Sequence, residues 1–196
     1  SWVASESDLI YEDVNPATGE VIAEFPSATD RDIEAAIDAA HSAVAKWREV
    51  PLRDKARYLF DLRGKFEERF ERLCRVLVQD HGRTIGEARG TLRRCIENIE
   101  SACSALLLLT KGECVTDLAK GLDQALYWEP RGVFLIITPN NIPMHAWSSY
   151  VPYAIASGCP VVVSPSKNDP VCLDAIFKVT EEVEGFPPGL VNLVYG

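Results

Sequence analysis

The sequence predicts an α/β protein: an incomplete parallel sheet in a three-layer α/β/α arrangement, preceded by long amino-terminal helices. Three observations carry this. Segment 131–167 reads as an apolar run, a polar turn, a longer apolar segment and a second apolar run, the pattern of strand–helix–strand. The runs at 133–137 and 161–163 are apolar at every position, which suits strands covered on both faces of a parallel sheet. Apolar residues at helical spacing fill most of 29–109.

The chain has 196 residues, enough for one large domain or two small ones, and the change of pattern near 130 divides it into 1–130 and 131–196. Hydrophobic residues make up 47%, ordinary for a folded globule. A net charge of −9 with no basic tract argues against a nucleic-acid partner. The apolar run at 105–109 is far too short to span a membrane. The first residues lack the charged and apolar parts of a secretory signal, so a cytoplasmic location is expected. The six cysteines form no CxxC pair, and with three scattered histidines they make a poor metal set. They read as reduced thiols, several serving as small apolar side chains.

Residues 1–12 are polar and expected to be loose. Asn15-Pro16-Ala17-Thr18-Gly19-Glu20 has turn chemistry and separates two extended stretches, 9–14 and 21–25, so a hairpin is expected. Thr29 and Asp32 stand like a capping box at the head of a first helix. Pro51 opens a second helix, expected to run over 52–78 with Leu59, Leu62, Phe66, Phe70, Leu73 and Leu77 as its inner stripe. His81-Gly82 ends it. A third helix covers 85–109, with Leu92, Ile96, Ile99, Cys103 and Leu106 inward. The charges on these helices read as a solvated face. Segment 113–131 is strand-like, with turns at Asp117 and Gly121, and suits pairing with itself or with another chain. Asp169-Pro170 starts a helix over 171–183, and 190–195 is a third apolar strand. Residues 131–196 therefore read β-α-β-α-β, half of a Rossmann-type nucleotide fold, whose ligands sit beyond the carboxyl ends of the strands.

The order of these signals resembles the aldehyde dehydrogenase superfamily. NPATGE at 15–20 is similar to its amino-terminal hairpin, and Ala45-Lys46-Trp47 to the end of its first helix. PRGVFLIITPNNIP at 130–143 resembles its Pro-x-Gly-Val strand followed by Pro-Trp-Asn-Phe-Pro. Ser157-Gly158 and Ser164-Pro165-Ser166 fall where the family has Gly-Asn and Lys-Pro-Ser-Glu, and FPPGLVNLVYG at 186–196 is like its Pro-x-Gly-x-x-Asn-x-x-x-Gly segment. The resemblance implies NAD- or NADP-dependent oxidation of an aldehyde through a cysteine thiohemiacetal. It assigns Asn141 to the oxyanion, where a neutral amide donor stabilises developing charge. It lays Ile137, Thr138, Pro139 and Asn140 along the dinucleotide, and Ser164, Pro165, Ser166 and Lys167 against its adenosine ribose. Read without the family, Asn140-Asn141 is a turn pair tolerant of left-handed backbone.

This sequence departs from the pattern. Asn140 replaces Trp and Ile142 replaces Phe; Ser164 replaces the ribose-binding Lys and Lys167 the acidic residue; Tyr150 stands where many members carry Lys. A lysine at 167 suits a 2′-phosphate. Ser-Pro at 164–165, the missing lysine at 150 and the segments in 101–132 look like the methylmalonate-semialdehyde, coenzyme A-acylating branch, which implies coenzyme A as co-substrate.

The family's general base and cysteine nucleophile lie beyond the part matched here, and no cysteine present has the electropositive setting a thiolate needs. The chain alone is therefore expected to be inactive. Three readings stand: the amino-terminal part of a longer dehydrogenase, a split enzyme completed by a catalytic chain, or a non-catalytic remnant binding a nucleotide or a protein. An open sheet edge favours a homo-oligomer or a complementary partner.

Overall fold

The computed structural model describes residues 3–196; residues 1 and 2, part of the stretch expected to be loose, lie outside the described residues. Strands β1 (Ile10–Val14) and β2 (Val21–Pro26) form the expected antiparallel hairpin. Asn15 closes its turn by accepting the Ala17 N–H at 2.9 Å, and Gly19 takes φ 74°, which glycine adopts without a Cβ penalty. Among the described residues ahead of β1, Ser5 is tethered rather than loose. The Ser5 hydroxyl lies 2.6 Å from the Asp32 carboxylate and 3.1 Å from the Ser27 carbonyl.

Helix α1 (Asp30–Glu49) opens on the capping box read from the sequence: Thr29 Oγ1 accepts the Asp32 N–H, and the Asp32 carboxylate accepts the Thr29 N–H at 2.8 Å. The single helix expected over 52–78 is two, α2 (Leu52–Glu68) and α3 (Phe70–His81). Arg69 leaves helical geometry at φ −99°, ψ 7°, and its guanidinium grips both oxygens of Glu182 at 3.3 and 3.0 Å. The break lets one apolar stripe serve two neighbours, with α2 packing chiefly on α4 and α3 on both α4 and α6. Pro51 caps α2 from outside instead of lying within its first turn. Helix α4 (Ile85–Thr110) starts from a second capping box, Thr84 with Glu87, and buries the five residues its spacing predicts.

Strands β3 (Glu113–Ala119) and β4 (Leu122–Leu126) pair antiparallel, with every residue exposed. The late segments form one parallel sheet in the order β5-β6-β7: β5 (Phe134–Ile137), β6 (Val161–Ser164) and β7 (Val191–Leu193). Helices α5 (Pro143–Ala156) and α6 (Pro170–Glu181) make the crossovers. The architecture is the mixed α/β arrangement the sequence implies. The expectation that its strands are covered on both faces holds for β6 and fails for β5, where only Ile136 is buried. As an edge strand, β5 leaves Leu135 65% and Ile137 72% exposed.

The core joins the helical layer to α5. The Trp47 indole N–H donates to the Ile155 carbonyl at 2.8 Å, and Phe66 stacks on Trp147 with ring centroids 5.5 Å apart. Helix α4 lies along α5. Burying aromatic and aliphatic side chains of this size contributes about 1.5–3 kcal/mol each, so α5, and the turn that feeds it, rests on a firm base.

Candidate functional site

The three parallel strands bring their carboxyl ends together. Ile137 pairs with Ser164 across the ladder. The Thr138 N–H donates to the Ser164 carbonyl at 3.0 Å, and the Val194 N–H to the Val163 carbonyl at 2.9 Å. The Ser164 hydroxyl reaches the Gly196 carbonyl at 3.4 Å. The two segments singled out from the sequence, 137–141 and 164–167, are thus neighbours on one edge of the sheet.

Within that edge the side chains differ in character. Ile137, Pro139, Asn140 and Asn141 are exposed, so Asn141 does not lie in a packed interior. Thr138 is 2% exposed, and its Oγ1 is buried without a hydrogen-bond partner among the described residues. An orphaned hydroxyl of this kind costs free energy until a ligand or water satisfies it. Pro165 is buried, Ser164 and Ser166 are half-buried, and Lys167 is exposed. Ser166 Oγ accepts the Asn168 N–H at 3.2 Å, closing a serine turn. The Lys167 ammonium lies 4.8 Å from the centre of the Tyr11 ring, turned toward the hairpin. Helix α5 begins at once after the turn, with Pro143 in its first turn and no side-chain cap.

Behind this edge the structure assembles a group that sequence reading missed. Asp13 of β1, Asp80 of α3 and Asp169 before α6 are each no more than 2% exposed. Asp80 was expected on a solvated helix face; instead its Oδ2 accepts the Cys172 N–H at 2.5 Å. Among the described residues neither oxygen of Asp13 or Asp169 makes a well-formed hydrogen bond, although the Asp80 carboxyl and the Val14 and Val171 N–H groups face Asp13, and the Ser166 hydroxyl faces Asp169. Burial pushes the Asp13 carboxyl up to about 8, and a proton shared with Asp80 and the repulsion of its charge add to the rise. Burial pushes Asp169 up to about 7, with the Ser166 hydroxyl opposing, and also raises Asp80 against the pull of its hydrogen-bond donors. Among the described residues no set of His, Cys, Asp and Glu is arranged to hold a metal ion. Three acids drawn from three distant segments leave no local signal in the sequence.

The cysteines are mostly interior. Burial raises Cys74 to about 11, Cys95 to about 12 and Cys103 to about 11, and lifts Cys172 well above the usual range. Cys159 is buried as well, and Cys114 lies on the exposed β3 strand. A thiol whose pKa is raised this way is a poor nucleophile.

An open parallel β-α-β-α-β sheet with polar turns at its carboxyl edge, packed against a layer of helices and accompanied by an exposed hairpin, defines the class: a Rossmann-like α/β fold. The chain belongs to the aldehyde dehydrogenase family, whose sequence profile matches residues 2–196. It is 37% identical over 195 residues to malonate-semialdehyde dehydrogenase 1 of Geobacillus kaustophilus, covering 100% of this chain and 40% of that protein. The crystal structure of methylmalonate-semialdehyde dehydrogenase from Oceanimonas doudoroffii matches with TM-score 0.94 and 34% identity, again over 100% of this chain and 40% of that one. A betaine aldehyde dehydrogenase variant from Staphylococcus aureus, solved in complex with NAD+, gives TM-score 0.93 and 29% identity over the same shares. The chain spans 40% of the length of these relatives. Two of them are named as semialdehyde dehydrogenases, and methylmalonate-semialdehyde dehydrogenase is the branch that residues 101–132 resemble.

Proposed function

We propose that this chain is the dinucleotide-holding amino-terminal part of an NAD- or NADP-dependent aldehyde dehydrogenase, and that it does not turn over aldehyde by itself. The observation that carries the reading is the meeting of the 138–141 turn and the 164–167 turn on one edge of the parallel sheet, with Asn141 exposed. The residues present fit a dinucleotide: Thr138 offers an unsatisfied hydroxyl, Ser164 and Ser166 offer hydroxyls at the next strand end, and Lys167 offers a cation. Ile137, Thr138, Pro139 and Asn140 would lie along the cofactor, and Ser164, Pro165, Ser166 and Lys167 at its ribose. When bound, such a cofactor supplies the hydride acceptor. The part played by this chain is to orient it and to aim the Asn141 amide N–H at an oxygen gaining negative charge. The raised cysteine pKa values support inactivity of the chain alone.

Two finer points follow from the same reading. The semialdehyde relatives, together with Ser164 and Tyr150, support an acyl-coenzyme A product in a completed enzyme. The fully exposed β3–β4 hairpin, which carries Leu118, Leu122, Leu126 and the following Tyr127 and Trp128, supports self-association through that surface. The test is calorimetric titration of the 196-residue chain with NAD+ and with NADP+, beside an aldehyde panel. Saturable binding of at least one, with no reduced cofactor formed, is expected. No heat with either nucleotide rejects the binding role, and cofactor reduction rejects the inactivity.

A further inference from the structure

We infer that Arg83 is a positioning residue for the Asn141 turn, holding it from outside the nucleotide fold. The inference rests on the role given to that turn above. Thr138 makes the last ladder bond of β5 through its N–H, and the Ile142 carbonyl makes the first bond of α5 by accepting the Ala146 N–H at 2.8 Å. Between those two points, among the described residues, the turn makes one hydrogen bond: Arg83 Nη2 donates to the Asn141 carbonyl at 2.6 Å. Pro139 has no N–H to offer. Ile142, the residue at the head of α5, provides no side-chain cap and sits at φ −146°, ψ 51°, so the usual local brace on such a turn is missing.

A bond to the Asn141 carbonyl fixes the plane of the following peptide and with it the direction in which the carboxamide leaves the backbone. A guanidinium suits the task because its bond to a neutral carbonyl is charge-assisted, and so shorter and stronger than one from a neutral donor. Arg83 is itself launched from a rigid base. It is the one residue between Gly82, which ends α3 at φ 75° with its N–H on the Val78 carbonyl, and Thr84, which caps α4. A Cβ at Gly82 would come within 2.8 Å of Pro16 Cγ, so the junction is also pressed against the β1–β2 turn. Arg83 Nε is buried without a partner among the described residues. That cost leaves the Asn141 bond as the contact that justifies the placement. The helical layer and the hairpin thereby reach the candidate oxyanion donor through one side chain.

The test compares Arg83→Met and Arg83→Lys with the parent 196-residue chain. The readouts are the carbonyl carbon resonance of Asn141 and the backbone amide resonance of Ile142, which belong to the peptide that Arg83 bonds, the side-chain amide resonance of Asn141, thermal stability, and NAD+ titration. Arg83→Met is expected to move the Asn141 carbonyl carbon upfield, to shift the Ile142 and Asn141 amide resonances, and to leave the melting temperature nearly unchanged. Arg83→Lys, which keeps a charged donor, is expected to return these resonances most of the way to the parent positions. Unchanged resonances in Arg83→Met, or a lysine variant no closer to the parent than methionine, overturns the inference. If the parent chain fails to bind NAD+, the functional reading of the turn falls, while the resonance comparison still decides the positioning role.

Discussion

The buried acids make the chain's stability depend on pH in an unusual direction. Asp13 is 1% exposed and its carboxyl rises from 3.8 to about 8. The groups that face it are the Asp80 carboxyl, the Asp169 carboxyl and the N–H groups of Val14 and Val171, with no cation among them. A carboxyl raised in the folded state holds its proton more tightly when folded. Its stabilisation is complete below the unfolded value of 3.8 and is lost as the pH climbs through about 8. At about 1.4 kcal/mol per pH unit the upper bound over the whole interval is roughly 6 kcal/mol. Because the proton belongs to the Asp13–Asp80 pair jointly, on the order of 3 kcal/mol is expected. Asp169, raised to about 7, acts in the same direction. The assay is urea unfolding from pH 5.5 to 8.5 in buffers whose cation is tetramethylammonium. Parent protein should lose stability across this range, while Asp13→Asn, which leaves only Asp169 and Asp80 to titrate, should show a clearly shallower slope and be more stable at the alkaline end. A parent as stable at the alkaline end as at the acid end, or an Asn variant with the parent slope, refutes the reasoning.

Other expectations follow from single contacts. Trp47→Phe removes the 2.8 Å bond to the Ile155 carbonyl in a buried setting and should cost about 1–3 kcal/mol in urea unfolding. Leu62→Ala, at a site with no exposure, should cost about 2–5 kcal/mol by the same measurement. Gly82→Ala meets both φ 75° and Pro16 at 2.8 Å, and a loss of about 1–2 kcal/mol or more is expected. Leu126→Glu with Tyr127→Ser should shift sedimentation of the chain toward monomer without lowering its melting temperature.

Local chemistry made several elements readable. The Asn15 to Glu20 turn and the Thr29–Asp32 capping box each rest on residues a few positions apart, and both form as read. The β-α-β-α-β order was equally plain from apolar runs and flanking prolines. What escaped depends on distant partners. The stretch around Arg69 has nothing that interrupts a helix locally; the break is matched by a pairing with Glu182, 113 residues away. Asp13, Asp80 and Asp169 look like ordinary surface charges until the hairpin, α3 and the start of α6 converge. Arg83 reads as one more charge at a helix junction, and only the fold brings it to Asn141. The exposure of β5 depends on what lies beside it, which its own four residues do not encode.

The central claim is that the edge formed by the ends of β5 and β6 is a nucleotide surface. Residue-resolved amide exchange of the 196-residue chain with and without saturating NAD+ or NADP+ tests it most directly. Slower exchange concentrated at Thr138, Asn140 to Ile142, Ser164, Ser166 and Lys167 is the predicted result. Binding that protects some other surface and leaves these amides untouched would contradict it.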